Sequence, residues 1–237
     1  MHKQVLLSVN NLHSGYGSVD IVNNISFEVR QSEILAIIGR NGVGKSTLMK
    51  TIIGEVATKS GEIKLNGNFI HKLPSSTRAR FGIGYVPQGR GLFNALSVQD
   101  NLKLGNLIGG KPQNMNFERV YEFFPILNER IGQLAGTLSG GQQQQLSIGR
   151  VLIGNPIMIL LDEPSEGIQP NIVQFIGQII KRIRDEQKLA VIIVEQNLEL
   201  IQATADRCLV VEKGKIITEI LPDELSDPLV EKKYLAV

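Results

Sequence analysis

An α/β fold built on a mainly parallel sheet, with a small antiparallel β subdomain at its start and a helical subdomain inserted later, is what this sequence predicts. Three observations carry that prediction. Short apolar runs at 34–38, 157–161 and 189–194 alternate with segments of helical spacing. A glycine-rich stretch joins the first of these runs to a helix-like segment. Between residues 93 and 135 the alternating strand pattern lapses altogether.

Each element follows from local pattern. From 5 to 33 the apolar residues alternate or cluster in short runs divided by Asn, Ser and Gly, which predicts strands in an antiparallel sheet. The run 34–38 reads as a strand and 48–53 as a helix. Residues 61–70, with an Asn66-Gly67 turn signal, continue the β character as a hairpin. A strand at 82–86 stops at Pro87. Helical spacing then governs 98–107, with Ser97 as candidate cap, and 117–124. A Gly- and Gln-rich turn opens a helix reaching Arg150. After it come a strand at 157–161, a helix at 171–186, a strand at 189–194, a helix at 198–205 and strands at 208–211 and 215–220. Strands alternating with helices require parallel crossovers. The expected organisation is one domain over 1–237, with a core and β subdomain from 1–87 and 156–237 and a helical subdomain from 88–155.

Bulk composition narrows the function classes. With 237 residues, 42% apolar and 20% charged, the chain can bury a full core under an ordinary polar surface. A net charge of +2 gives no electrostatic case for nucleic acid, and the basic group Lys181, Arg182 and Arg184 reads as a solvated helix face. No apolar run approaches the roughly 20 residues that cross a bilayer, and the N-terminus lacks a secretory pattern, so a cytoplasmic location is expected. The lone Cys208 lies in an apolar segment and reads as a small core residue rather than a nucleophile.

The chemistry starts at Gly39-Arg40-Asn41-Gly42-Val43-Gly44-Lys45-Ser46-Thr47, which fits GxxxxGK[ST] between a strand and a helix. Glycines let the backbone wrap round phosphates with its N–H groups inward, and the helix start adds partial positive charge. Lys45 would reach the β and γ phosphates of a nucleoside triphosphate, and the Ser46 hydroxyl would bind Mg²⁺.

A second site is the apolar strand at 157–161, which delivers Asp162 and Glu163 at its C-terminal edge, where open α/β sheets bind ligands. Asp162 is placed to hold Mg²⁺ and Glu163 to position or deprotonate an attacking water. In isolation the pair would be a polar strand exit; beside a phosphate loop it becomes catalytic. A third element, Leu138-Ser139-Gly140-Gly141-Gln142, opens a helix that Ser139 can cap, with glycines that leave N–H groups accessible. By itself it is equally a plain helix start.

These residues together resemble the ATP-binding cassette (ABC) ATPases. Residues 138–142 match that family's LSGGQ signature, set between its Walker A loop (39–47) and Walker B strand (157–162), and the resemblance covers essentially the whole chain. It implies the ABC ATPase fold and the cofactors ATP and Mg²⁺. It assigns Tyr16 to stack on adenine and Gln88 to link Mg²⁺ and the attacking water to the helical subdomain. It further implies two ATPase subunits facing head to tail, so that Ser139, Gly140, Gly141 and Gln142 serve the partner's nucleotide.

Departures from the family pattern either weaken catalysis or identify a branch. The family usually places His, in contact with the γ phosphate, where this chain has Gln196. Gln can still donate a hydrogen bond there but carries no charge. Gln145 replaces a common Arg, and 166–170 reads Glu-Gly-Ile-Gln-Pro where many members have Asp before the Pro. With these segments the chain is similar to the ATPases of branched-chain amino acid importers, and within them to the urea-importing members.

The resemblance therefore implies an ATPase powering a bacterial importer of urea or short amides, with branched-chain amino acids as the alternative. Its expected partners are integral membrane permease subunits, a second and different ATPase subunit (or a second copy in isolation) and a periplasmic or surface substrate-binding protein, with no nucleic acid. The expected place is the inner face of the cell membrane. Readings from other classes are a soluble cassette ATPase acting on DNA or ribosomes and a non-hydrolysing regulatory module, the latter motivated by Gln196.

Overall fold

The computed structural model describes residues 4–107, 116–227 and 229–230. Strands β1 (Val5–Tyr16) and β2 (Val19–Arg30) pair antiparallel, as the alternating pattern predicts. After β3 (Ile34–Ile38) and helix α1 (Lys45–Ile53), strands β4 (Thr58–Leu65) and β5 (Asn68–Phe69) complete a four-stranded sheet of order β2-β1-β4-β5. The β4–β5 turn is Asn66-Gly67, with φ of 48° and 77°. Positive φ at both central residues is what a tight two-residue hairpin needs.

The second sheet holds β3 at its centre. Its order is β10-β9-β3-β8-β7-β6, from β6 (Ile83–Val86), β7 (Met158–Asp162), β8 (Ala190–Val194), β9 (Arg207–Glu212) and β10 (Lys215–Ile220). All neighbours are parallel except β9 and β10. On one face Leu35, Ile37, Leu160 and Ile192 pack with Leu48, Met49 and Ile52 of α1 and with the antiparallel sheet. Each such side chain, taken fully from water, contributes about 1.5–3 kcal/mol before entropy is counted. Helix α1 is thereby clamped between the two sheets.

On the other face Ile159, Leu161, Val191 and Ile193 meet helix α6 (Gly140–Ile153) and helix α7 (Pro170–Gln187). Their cluster runs on without a break into α3 (Val98–Asn106), α4 (Phe117–Phe123) and α5 (Pro125–Glu129), so the helical insertion shares its core with the sheet. Ser97 caps α3 by accepting from the Asp100 N–H at 3.0 Å, as expected. Helix α8 (Leu198–Thr204) covers Cys208, which is buried in a third cluster.

Two helices carry no periodic apolar signal and are new relative to the sequence reading: α5, and α2 (Ser75–Arg80), which buries Arg78. The Arg78 guanidinium donates to the carbonyls of Thr51, Ile52, His71 and Leu73 at 2.7–2.9 Å. It closes the carbonyl end of α1 together with the turn that follows, where the Gly54 N–H donates to Thr51 O and the Glu55 and Val56 N–H groups to Lys50 O. Helix α1 also starts three residues earlier than its apolar spacing indicates, because its first turn is made of Lys45, Ser46 and Thr47.

Candidate active site

The loop from Gly39 to Gly44 crosses from the end of β3 into α1 with three glycines at positive φ: Gly39 at 147°, Gly42 at 77° and Gly44 at 106°. A β-carbon on Gly39 would lie 2.3 Å from the Val211 carbonyl oxygen. Gly44 has no side chain with which to cap the helix, so the first N–H groups of α1 keep their donors for an anion. Arg40, Asn41 and Gly42 are exposed on the loop, Val43 packs inward against the core, and Thr47 is buried.

Lys45 is buried, and its ammonium lies inside the loop, donating to Gly39 O at 2.7 Å and Arg40 O at 2.9 Å. Burial pushes its pKa below the usual lysine value, against the raising effect of Glu163, Asp162 and Glu195. One residue on, the Ser46 hydroxyl donates to Asp162 Oδ1 at 3.1 Å. The Tyr85 hydroxyl donates to the other oxygen, Oδ2, at 3.2 Å. Asp162 is buried, and burial raises its pKa despite those two hydrogen bonds.

Glu163 leaves β7 with φ 51°, its N–H donating to Val194 O at 2.8 Å. Its carboxylate is held at both oxygens: Gln88 Nε2 donates to Oε2 at 3.1 Å, and Gln196 Nε2 donates to Oε1 at 3.0 Å. The same Gln196 amide also donates to Asn41 Oδ1 at 2.7 Å, which ties it to the glycine loop. Gln88 follows β6, Glu163 follows β7, Gln196 follows β8 and Asn41 follows β3, so four neighbouring parallel strands deliver the site at one edge of the sheet.

Three contributors lay outside the sequence reading. Tyr85 is the hydrogen-bond partner of Asp162. Buried Glu195 accepts from the N–H groups of Gln196 and Asn197 on one oxygen and of Ser165 on the other, at 2.7–3.1 Å, and so fastens the turn carrying Gln196 to the segment after Glu163. Arg90 bonds Gln143 and the Glu166 carbonyl. A polar residue at or just beyond the C-terminal end of a buried strand is the only signal that could have marked the first two.

Other predicted residues lie apart. Tyr16 ends β1 and is 53% exposed, free to stack on a flat ligand. Ser139 and Gln142 form a reciprocal capping box on α6: the Gln142 N–H donates to Ser139 Oγ at 3.4 Å and the Ser139 N–H to Gln142 Oε1 at 3.0 Å. Gly140 and Gly141 approach Gly167 and Ile172, not the glycine loop, so a β-carbon on Gly141 would meet Ile172 at 2.6 Å.

A caged ammonium beside a free helix start can take phosphates, and a doubly held carboxylate can take a proton from water at that same edge. Comparisons with known proteins agree. The family model described as ABC transporter matches residues 22–166. The chain is 41% identical over 232 residues to the high-affinity branched-chain amino acid transport ATP-binding protein BraG of Pseudomonas aeruginosa, covering 97% of this chain and 99% of that one. It is 35% identical over 236 residues to the lipopolysaccharide export system ATP-binding protein LptB of Escherichia coli strain K12, covering 97% and 96%. The ADP conformation of MJ1267, an ATP-binding cassette of an ABC transporter, superposes with a TM-score of 0.85 at 27% identity, over 97% of this chain and 98% of that one. The chain belongs to the ABC transporter family, as one of its ATPases.

Proposed function

We propose that this ATPase powers an importer, and that branched-chain amino acids are its cargo. The observation that carries the catalytic part is the Glu163 carboxylate held between Gln88 and Gln196, beside the Ser46–Asp162 pair. The loop from Gly39 to Thr47 binds the phosphates, with Lys45 exchanging its two loop carbonyls for phosphate oxygens, and Tyr16 stacks on the adenine. A hydroxyl and a carboxylate, Ser46 and Asp162, with Gln88 near, form a hard oxygen set that suits Mg²⁺. Among the described residues no three His, Cys, Asp or Glu side chains gather as a metal cage. Mg²⁺ held there would offset charge on the phosphates. Glu163 orients the attacking water and takes its proton, while the two amides fix the direction of the carboxylate. Glu163 is intact and Gln196 still donates to it, which argues against the reading of a non-hydrolysing module.

In the working assembly Ser139, Gly140, Gly141 and Gln142 face the nucleotide of a second ATPase subunit. Separate permease subunits supply the path, with this chain docked on their inner face and a substrate-binding protein outside, as its membership of the ABC transporter family supports; among the described residues no helix is long and apolar enough to cross a membrane. The branched-chain reading rests on the 41% identity to BraG. Urea or short amides, favoured by the resemblance of the motifs, form the second reading. Uptake of labelled leucine and labelled urea in cells lacking this chain separates them. Loss of leucine uptake with urea uptake intact is expected; the reverse would move the cargo to urea, and loss of neither would contradict an importer for either.

A further inference from the structure

We infer that Arg90 is a positioning residue that locks the turn carrying Gln88 onto both the segment following Glu163 and the signature helix. Two turns face each other here. Arg90 N–H donates to Pro87 O at 2.9 Å and closes a four-residue turn in which Gln88 is second and Gly89, at φ 76°, is third, as a type II turn requires. Opposite it, Glu166 N–H donates to Glu163 O at 3.2 Å. Gln88 bonds the Glu163 carboxylate at the first corner, and Arg90 Nη2 donates to Glu166 O at 3.1 Å at the last. The turn therefore grips the segment from Glu163 to Glu166 at both ends.

The same guanidinium reaches a third element. Its Nη1 donates to Gln143 Oε1 at 3.0 Å, in the first turns of α6. Its Nη2 lies close to the helix start, where a β-carbon on Gly140 would be 3.2 Å from it and one on Gly167 would be 3.7 Å. A planar fork with several donors can hold two acceptors at fixed angles, which one ammonium cannot. Arg90 stands at φ 72°, a conformation that favours glycine, so the chain carries a strained residue where an unstrained one was available.

The consequence rests on the head-to-tail pairing proposed above. Gln88 serves the chain's own catalytic carboxylate, whereas Gly140 belongs to the surface offered to the partner's nucleotide, and Gly167 lies against it. Arg90 joins the two sets in one rigid unit, so its loss loosens catalytic alignment without touching the loop that binds nucleotide.

Substitution by glycine tests this cleanly, because Arg90→Gly removes the guanidinium and relieves the backbone at once. In the purified chain, melting within about 3 °C of wild type and ATP affinity within about two-fold are expected, with kcat lowered by about ten-fold or more. Arg90→Lys should recover part of the kcat. Gln143→Ala should lower kcat less, and in the Arg90→Gly background should add little, since the bond it would break is already gone. Arg90→Gly turning over within two-fold of wild type would overturn the inference, as would equal losses of ATP affinity and kcat. A wild-type chain with no turnover even when assembled with a second ATPase subunit would instead overturn the ATPase reading, and the inference with it.

Discussion

Gln196 Nε2 stands 3.0 Å from Glu163 Oε1 and 2.7 Å from Asn41 Oδ1, so one neutral amide joins the glycine loop to the catalytic carboxylate. A histidine at this place would bring a proton that comes and goes near neutral pH. Glutamine brings a donor that never titrates, and it orients Glu163.

Removing that donor should therefore slow chemistry more than binding. Gln196→Ala is expected to lower kcat by about 10- to 100-fold, the effect of a hydrogen bond to a charged group, with little change in ATP affinity. Gln196→His should restore part of the rate and introduce an inflection near pH 6.5, the ordinary histidine value. Rates measured from pH 5.5 to 8 on the three proteins check both outcomes.

The glycine loop separates space from strain. Gly39→Ala places a β-carbon 2.3 Å from the rigid Val211 carbonyl and should abolish ATP binding. At Gly42 the φ is 77° but nothing lies within 4 Å, so Gly42→Ala is charged only the backbone cost, about 1 kcal/mol, and should keep measurable binding. Titration with a fluorescent ATP analogue distinguishes the two variants.

Much of this site was legible in the sequence because it is written in contiguous residues. The loop 39–47, Asp162 with Glu163, and the cap at Ser139 all follow from short runs whose residue types have few other uses. The Asn66-Gly67 hairpin and the Ser97 cap were legible for the same reason. What stayed hidden depends on residues far apart in the chain. Tyr85 meets Asp162 only because β6 and β7 pair in parallel, and Glu195 meets Ser165 only because β7 and β8 do. Arg78 caps α1 from a six-residue polar helix that has no periodicity to read.

Cys208 offers a check on the core. Burial pushes its thiol up from 9.0 to about 12, helped by Glu219 and Glu224. The unfolded thiol ionises first, so this group contributes stability below pH 9 that is lost as pH rises toward 12. At pH 8 a thiol reagent should react with the folded chain at least about 100-fold more slowly than with the denatured chain, because reaction awaits opening of the core. Equal rates would place Cys208 at the surface.

The central claim is that Glu163 performs the chemistry while the loop around Lys45 binds the nucleotide. Comparing wild type with Glu163→Gln, for ATP affinity and steady-state ATP hydrolysis on the same preparations, tests it most directly. We predict affinity within about two-fold and turnover lowered by at least about 100-fold, the range of a lost general base. Turnover within a few-fold of wild type would contradict the claim and place the catalytic group elsewhere.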